Sequence, residues 1–193
     1  MPYEYSAEHH DWNMTLRSAG ELYGLSVNPQ MLGNGVRLFA LLTGSMVLSF
    51  AAIESFSASV AFCMADNPRY PGFDFDRYKK TFRFAEKMNM LMEPHGIKPD
   101  WGSGLFQRIA TMQQWRNLVT HASPYEIEST PIADSMDARH LHTQSHHDRE
   151  YARGCNTQAA KDYYSTAVEY IEMIRKTTGI NPVASATYTP VQP

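Results

Sequence analysis

Cysteine is scarce in this chain, with two in 193 residues. Cys63 falls in an apolar helix-forming stretch and Cys155 in a polar loop. Two such thiols make no disulfide framework, which excludes the stapled scaffolds of small secreted proteins and fits a reducing compartment. A leader pattern is also missing, because MPYEYSAEHHDW is polar and acidic where a signal peptide needs positive charge followed by an apolar run. A cytoplasmic location is therefore expected. No glycine spacing of the dinucleotide or P-loop kind occurs, and no internal repeat points to a solenoid. Broad basicity is lacking too, since a net charge of −3 argues against a protein that coats nucleic acid.

Long hydrophobic runs are nearly absent. The longest uncharged, mostly apolar piece, Leu38 to Ile53, falls short of the roughly 20 residues a membrane span needs. Extending it would put Glu54 and several serines into lipid, at about 2.5 kcal/mol or more for the charge alone. The stretch reads as a buried helix, with no membrane as partner. Ser45, Ser49, Ala52, Ser55 and Ser59 form a small-residue stripe along it, and Leu38, Leu42, Met46, Phe50 and Ile53 a large one. Such a helix is approached closely on one side and packed heavily on the other.

What is present is a series of helical patterns punctuated by Gly, Pro and Asn, with little alternation of period two. With 43% hydrophobic and 12% aromatic residues, the chain can bury the core of one domain. The expected architecture is an all-α, up-and-down bundle of about five helices over residues 1–179, followed by a flexible tail at 180–193. The first helix covers about 8–24, with Trp12, Leu16, Ala19 and Leu22 inward. The second runs from about 35 to 65. A third spans about 74–92, capped by Asp74, presenting Tyr78, Phe82 and Ala85 on one face and stopped by His95-Gly96. A fourth occupies roughly 103–122. A fifth covers about 158–178, with Tyr164, Val168, Ile171 and Ile174 periodic and Gly179 as C-cap. Residues 126–156 read as an irregular, histidine-rich loop.

The fourth helix carries Arg116-Asn117-Leu118-Val119-Thr120-His121. A guanidinium is always charged and matches phosphate oxygens in two-pronged geometry, while an imidazole titrates near neutrality and serves as acid or base. Asn117 and His121, four apart, share a helix face, so the amide can orient the ring or bind the same substrate. Arg116 and His121 are five apart, which splays them by about 140° with about 7.5 Å of rise. One straight helix does not focus both on one atom. A second copy packed antiparallel across a two-fold axis would place two arginines and two histidines around one cleft.

Charge supports the same place. Residues 77–125 hold Arg77, Lys79, Lys80, Arg83, Lys87, Lys98, Arg108 and Arg116 against Glu86, Glu93 and Asp100, a local balance of +5 that leaves −8 for the remainder. Between Trp101 and Tyr125 there is no acid, so the motif helix sits in a field suited to a polyanion.

With an apolar-periodic approach (Leu105, Ile109, Met112, Trp115) and Ser123-Pro124 after it, RNLVTH resembles the signature of the HEPN domains (higher eukaryotes and prokaryotes nucleotide-binding): Arg, a polar residue, and His after a four- to six-residue gap near a helix end. The resemblance covers about residues 36–178. It implies a helical bundle and metal-independent RNA cleavage at a homodimer cleft, in a toxin or defence effector. Arg116 would hold the scissile phosphate, His121 would handle the proton, and Asn117 would orient one or the other. Arg108, Thr120 and Glu54 complete the candidate substrate-binding set. No cofactor and no metal are called for. RNA, a second copy and an antitoxin or nucleotidyltransferase are the implied partners. Some toxins of the family carry a tyrosine two residues after the His; Ser123 stands there in this chain, with Tyr125 two further on, which departs from that mode of control.

Other features carry rival readings. His140, His142, His146 and His147 beside Asp148 suit a transition metal by chemistry, in a segment without the framework that fixes ligands; His9 and His10 are a weaker pair. Glu54 is the lone charge of its apolar helix, where an unpaired carboxylate is expensive to bury. It pairs with Arg116 or another cation near the cleft, or reaches solvent at the bundle's edge. A non-catalytic helical module that binds a nucleotide or a protein is the principal alternative function. The eleven methionines read as gap-fillers.

Overall fold

The structure, a computed structural model, describes residues 3–31, 34–121 and 150–190. The His140–His147 cluster and residues 126–149 of the expected loop lie outside them. The described elements are β1 (Tyr3–Glu8), α1 (Trp12–Ser26), α2 (Gly35–Ala65), α3 (Phe75–Lys80), α4 (Phe84–Met92), α5 (Gly104–Thr120), α6 (Glu150–Gly154), α7 (Thr157–Thr178) and β2 (Ser185–Pro190). With 73% helix, the class is all-α, as the sequence implies.

α2 is the axis of the fold, a 31-residue rod about 46 Å long. Asn34 starts it, its side chain accepting from Arg37 N at 3.0 Å. Leu42, Met46, Phe50 and Ile53 are all buried, as the large stripe requires. On the small side α1 comes close enough for Ser45 Oγ to donate to Ala19 O at 2.8 Å, both residues fully buried. Gly44 adds room there, since a Cβ would stand 2.9 Å from Leu22 Cδ1 and that side chain would have to turn aside. By length and composition α2 alone among the described residues suffices to cross a membrane. In the fold it packs against α1, α5 and α7.

The main core gathers Trp12 of α1, Phe50, Phe56 and Val60 of α2, Tyr78 of α3, Phe84 and Met88 of α4, Ile109 and Met112 of α5, and Tyr170 and Ile174 of α7. A smaller cluster of Leu42, Met46, Trp115 and Ala160 joins the first half of α2 to the motif helix. Asn156 caps α7 by accepting from Ala159 N at 2.9 Å, and Gly179 ends it at φ 69°, a left-handed conformation that glycine adopts without strain.

Four expectations need correction. The helix expected over 74–92 is two, α3 and α4, separated at Thr81–Arg83. In one continuous helix Tyr78 and Phe84 would face directions about 120° apart; the break lets both reach the core, at 2% and 5% exposure. Phe82, expected inward, is instead 99% exposed. Five helices become seven among the described residues, because α6 also forms inside the segment read as irregular. The 180–193 segment is not a loose tail over its described part. Ile180 is buried, Trp12 Nε1 donates to Pro182 O at 3.1 Å, and β2 pairs antiparallel with β1, Tyr5 opposite Tyr188.

Candidate active site

α5 begins after Ser103 and ends with His121 as its C-cap, at φ −120° and ψ 28°. It is fastened by Ile109, Met112 and Trp115, all buried on the face the sequence assigned to them. Trp115 meets the ring of Tyr163 edge-on at 5.8 Å. Gly154 of α6 lies against it so closely that a Cβ would be 2.9 Å from the indole nitrogen. The last turn therefore has a firm base.

Arg116 leans from α5 onto α2. Its Nη2 donates to Glu54 Oε1 at 2.9 Å, and its guanidinium carbon stands 5.0 Å from the centre of the Phe50 ring. Phe50 and Glu54 are one turn apart on α2, so a single face supplies the carboxylate and the aromatic surface. Cation–π attraction and the charge-assisted bond hold the arginine jointly. Its side chain is 24% exposed and that of Glu54 42%, so the pair lies at the bundle's edge.

Burial pushes the Glu54 carboxyl above its ordinary value, opposed first by Arg116 and then by the charge of Lys87 on α4. Lys87 itself sits over the Tyr78 ring at 5.1 Å. Burial, then the Glu54 charge, drives the Tyr78 hydroxyl far upward, so it stays protonated. Four helices thus meet around one carboxylate. Lys87, Phe50 and Tyr78 were not among the expected site residues. The i, i+4 spacing of Phe50 and Glu54 is visible in sequence; the approach of Lys87 is not.

The remaining candidates divide. Asn117 and His121 are exposed, and His121 N donates to Asn117 O at 3.0 Å, closing the helix. Thr120 Oγ1 donates to Arg116 O at 2.9 Å, a bond within its own helix. Arg108 is turned to α7, where Nε donates to Thr166 Oγ1 at 3.3 Å and Nη2 pairs with Glu169. It ties α5 to α7 rather than joining the Arg116 group. Within one chain, then, Arg116 and Glu54 come together, Asn117 and His121 stand exposed at the helix end, and Arg108 is elsewhere.

No group of three or more His, Cys, Asp or Glu is placed to hold a metal among the described residues. Burial raises both cysteine thiols, Cys63 with help from the charges of Glu8 and Asp66, and Cys155 against the hydrogen bond to Thr43. Raised thiols are poor nucleophiles at neutral pH. At the α5 end the structure presents a guanidinium held by Glu54 and an exposed imidazole. No family model, no curated protein and no solved structure matches the chain.

Proposed function

We propose that the protein is a metal-independent endoribonuclease of HEPN type, its helices forming a bundle of that kind and its active site completed where two copies meet. The observation that carries the reading is the division of labour on α5. Arg116 is braced at the bundle's edge by Glu54 and Phe50, while His121 stands exposed at the C-cap of the same helix. One copy holds a phosphate-binding group and a proton-transfer group that do not share a target; two copies across a dyad supply both to one phosphate.

In the reaction, the ribose 2′-oxygen attacks the adjacent phosphorus and loses its proton to one imidazole. The bond to the 5′-oxygen breaks, that oxygen takes a proton from the other imidazole, and a cyclic phosphate and a 5′-hydroxyl remain. Arg116 from each copy binds the non-bridging oxygens as charge builds on them, and Asn117 sets the ring or the phosphate. The reading carries with it a cytoplasmic toxin or defence role, held in check by an antitoxin-like partner.

The test is incubation of RNA with the protein in the presence of a chelator, beside His121→Ala and Arg116→Ala. Cleavage by the parent that is lost in both variants is the expected result. Undiminished cleavage in either variant refutes the assigned roles. The ion pair with Glu54 favours a second reading, in which Arg116 is a structural staple and the chain a non-catalytic module for a nucleotide or protein partner. That reading expects a stability loss in Arg116→Ala and no RNA product from any form.

A further inference from the structure

Phe82 is the most exposed large apolar side chain among the described residues, at 99%. It sits on a corner, not a loose loop: Thr81 and Arg83 are both extended, at ψ 124° and 122°, and each adjoins a helix end. Thr81 Oγ1 also donates back to Arg77 O at 2.9 Å. Around it, residues 74–87 carry Arg77, Lys79, Lys80, Arg83 and Lys87 against Asp74, Asp76 and Glu86, with Lys79 paired to Asp76 at 2.8 Å and Arg83 to Glu86 at 3.5 Å on the surface. The corner is also joined to the candidate active site. Two residues on, Phe84 packs at 5.3 Å on Phe50, the ring that supports Arg116 at 5.0 Å.

A lone exposed ring in a cationic field suits one kind of partner. Protein docking and membrane insertion both draw on contiguous apolar surface, whereas on α3, α4 and the corner between them Phe82 is the one exposed large apolar residue, with Ile97, at 41%, the next along the chain. An unpaired base needs one aromatic face for stacking and positive charge for the phosphates on either side. We propose that Phe82 is a stacking platform for a base of a single-stranded RNA, with Lys80 and Arg83 on the flanking phosphates. The identity of the strand rests on the ribonuclease reading.

The experiment is fluorescence anisotropy with a fluorescein-labelled single-stranded oligouridine, in the His121→Ala background so that the RNA survives. Phe82→Ala weakens binding about 5-fold or more, the loss of one base stack, while Phe82→Trp retains it. Lys80→Ala and Arg83→Ala weaken binding and flatten its salt dependence. Circular dichroism of Phe82→Ala matches the parent, since the ring supports nothing beneath it.

Equal binding by Phe82→Ala and parent overturns the platform, as does absence of RNA binding by the parent. So does a Phe82-dependent affinity for phosphatidylserine vesicles with none for RNA. The two readings fail separately. Chelator-resistant cleavage by the otherwise wild-type chain with an unchanged KM in Phe82→Ala removes the platform alone; RNA held through Phe82 without cleavage removes the nuclease alone.

Discussion

Half-buried on α2, the Glu54 carboxylate is held between two opposing effects. Desolvation favours its neutral form, and the charges of Arg116 and Lys87 favour its ionised form, with desolvation the larger. Its folded pKa is therefore raised above the ordinary 4.5. The contribution to stability is complete below the unfolded pKa and is lost as pH rises through the folded one. Glu54→Gln removes that loss while weakening the bond to Arg116 at every pH. Its melting temperature should accordingly gain on that of the parent as pH rises from about 4 to 7. The opposite slope would show that Arg116 outweighs burial. Deeper in the core, Ser57 Oγ donates to Ile53 O at 2.6 Å and lies 2.7 Å from the Tyr170 hydroxyl, which also donates to Met88 Sδ at 2.8 Å. Tyr170→Phe leaves Ser57 bonded and should cost about 0.5–1.5 kcal/mol in urea unfolding. Ser57→Ala leaves the buried phenol its bond to the Met88 thioether, a weak acceptor, and should cost about 0.5–1.5 kcal/mol. The sequence offered the Arg116–Glu54 pair as one of three fates for a lone acid in an apolar helix, beside another cation and solvent, and the fold selects it. The Ser57–Tyr170 bond was not legible, since both residues read as ordinary helix positions 113 apart.

Among the elements, those with one apolar face and a local stop were readable, and those shaped by distant partners were not. α2 and α5 follow their stripes, and Gly179 ends α7 in the left-handed conformation its position suggests. The α3–α4 break escaped notice because Tyr78, Phe82 and Ala85 fit one helical face, whereas Phe84, Met88 and Leu91 fit another; only packing decides that Tyr78 and the second set are buried. On α7 the buried face is Ala160, Ala167, Tyr170, Ile171 and Ile174, so the expected Ile171 and Ile174 are buried while Tyr164 and Val168 are half-buried, the Tyr164 ring lying against Gly20 of α1, where a Cβ would be 3.1 Å away. The α1–α2 crossing offers a direct test of why the small stripe is small. Ser45→Ala loses only the bond to Ala19 O and should cost about 0.5–1.5 kcal/mol. Ser45→Leu must also force the two backbones apart, adding about 1–3 kcal/mol. Chemical denaturation that ranks Leu at or above Ala would mean the helices do not cross there.

For the whole molecule, the two strands join chain ends some 180 residues apart, so nothing local announces them; Trp12 and Pro182 sit beside the pairing and extend the core to Ile180. The same limit applies with more force to a site shared between copies, since one chain records only half of it. A mixing experiment reaches the other half. Arg116→Ala chains keep the imidazole and His121→Ala chains keep the guanidinium, and each forms inactive homodimers under the proposed mechanism. If Arg116 of one copy works beside the His121 of the other, a mixed dimer regains one guanidinium and one imidazole of the cleft's two of each. Random exchange makes about half of all dimers mixed, so cleavage should return in part, well below half of the parent's, where neither homodimer shows any. A site built within one copy predicts no recovery, because every chain in the mixture lacks one of the two groups. Mass measurement of the exchanged sample separates failure to exchange from failure to complement: mixed dimers present without RNA cleavage would eliminate the shared cleft.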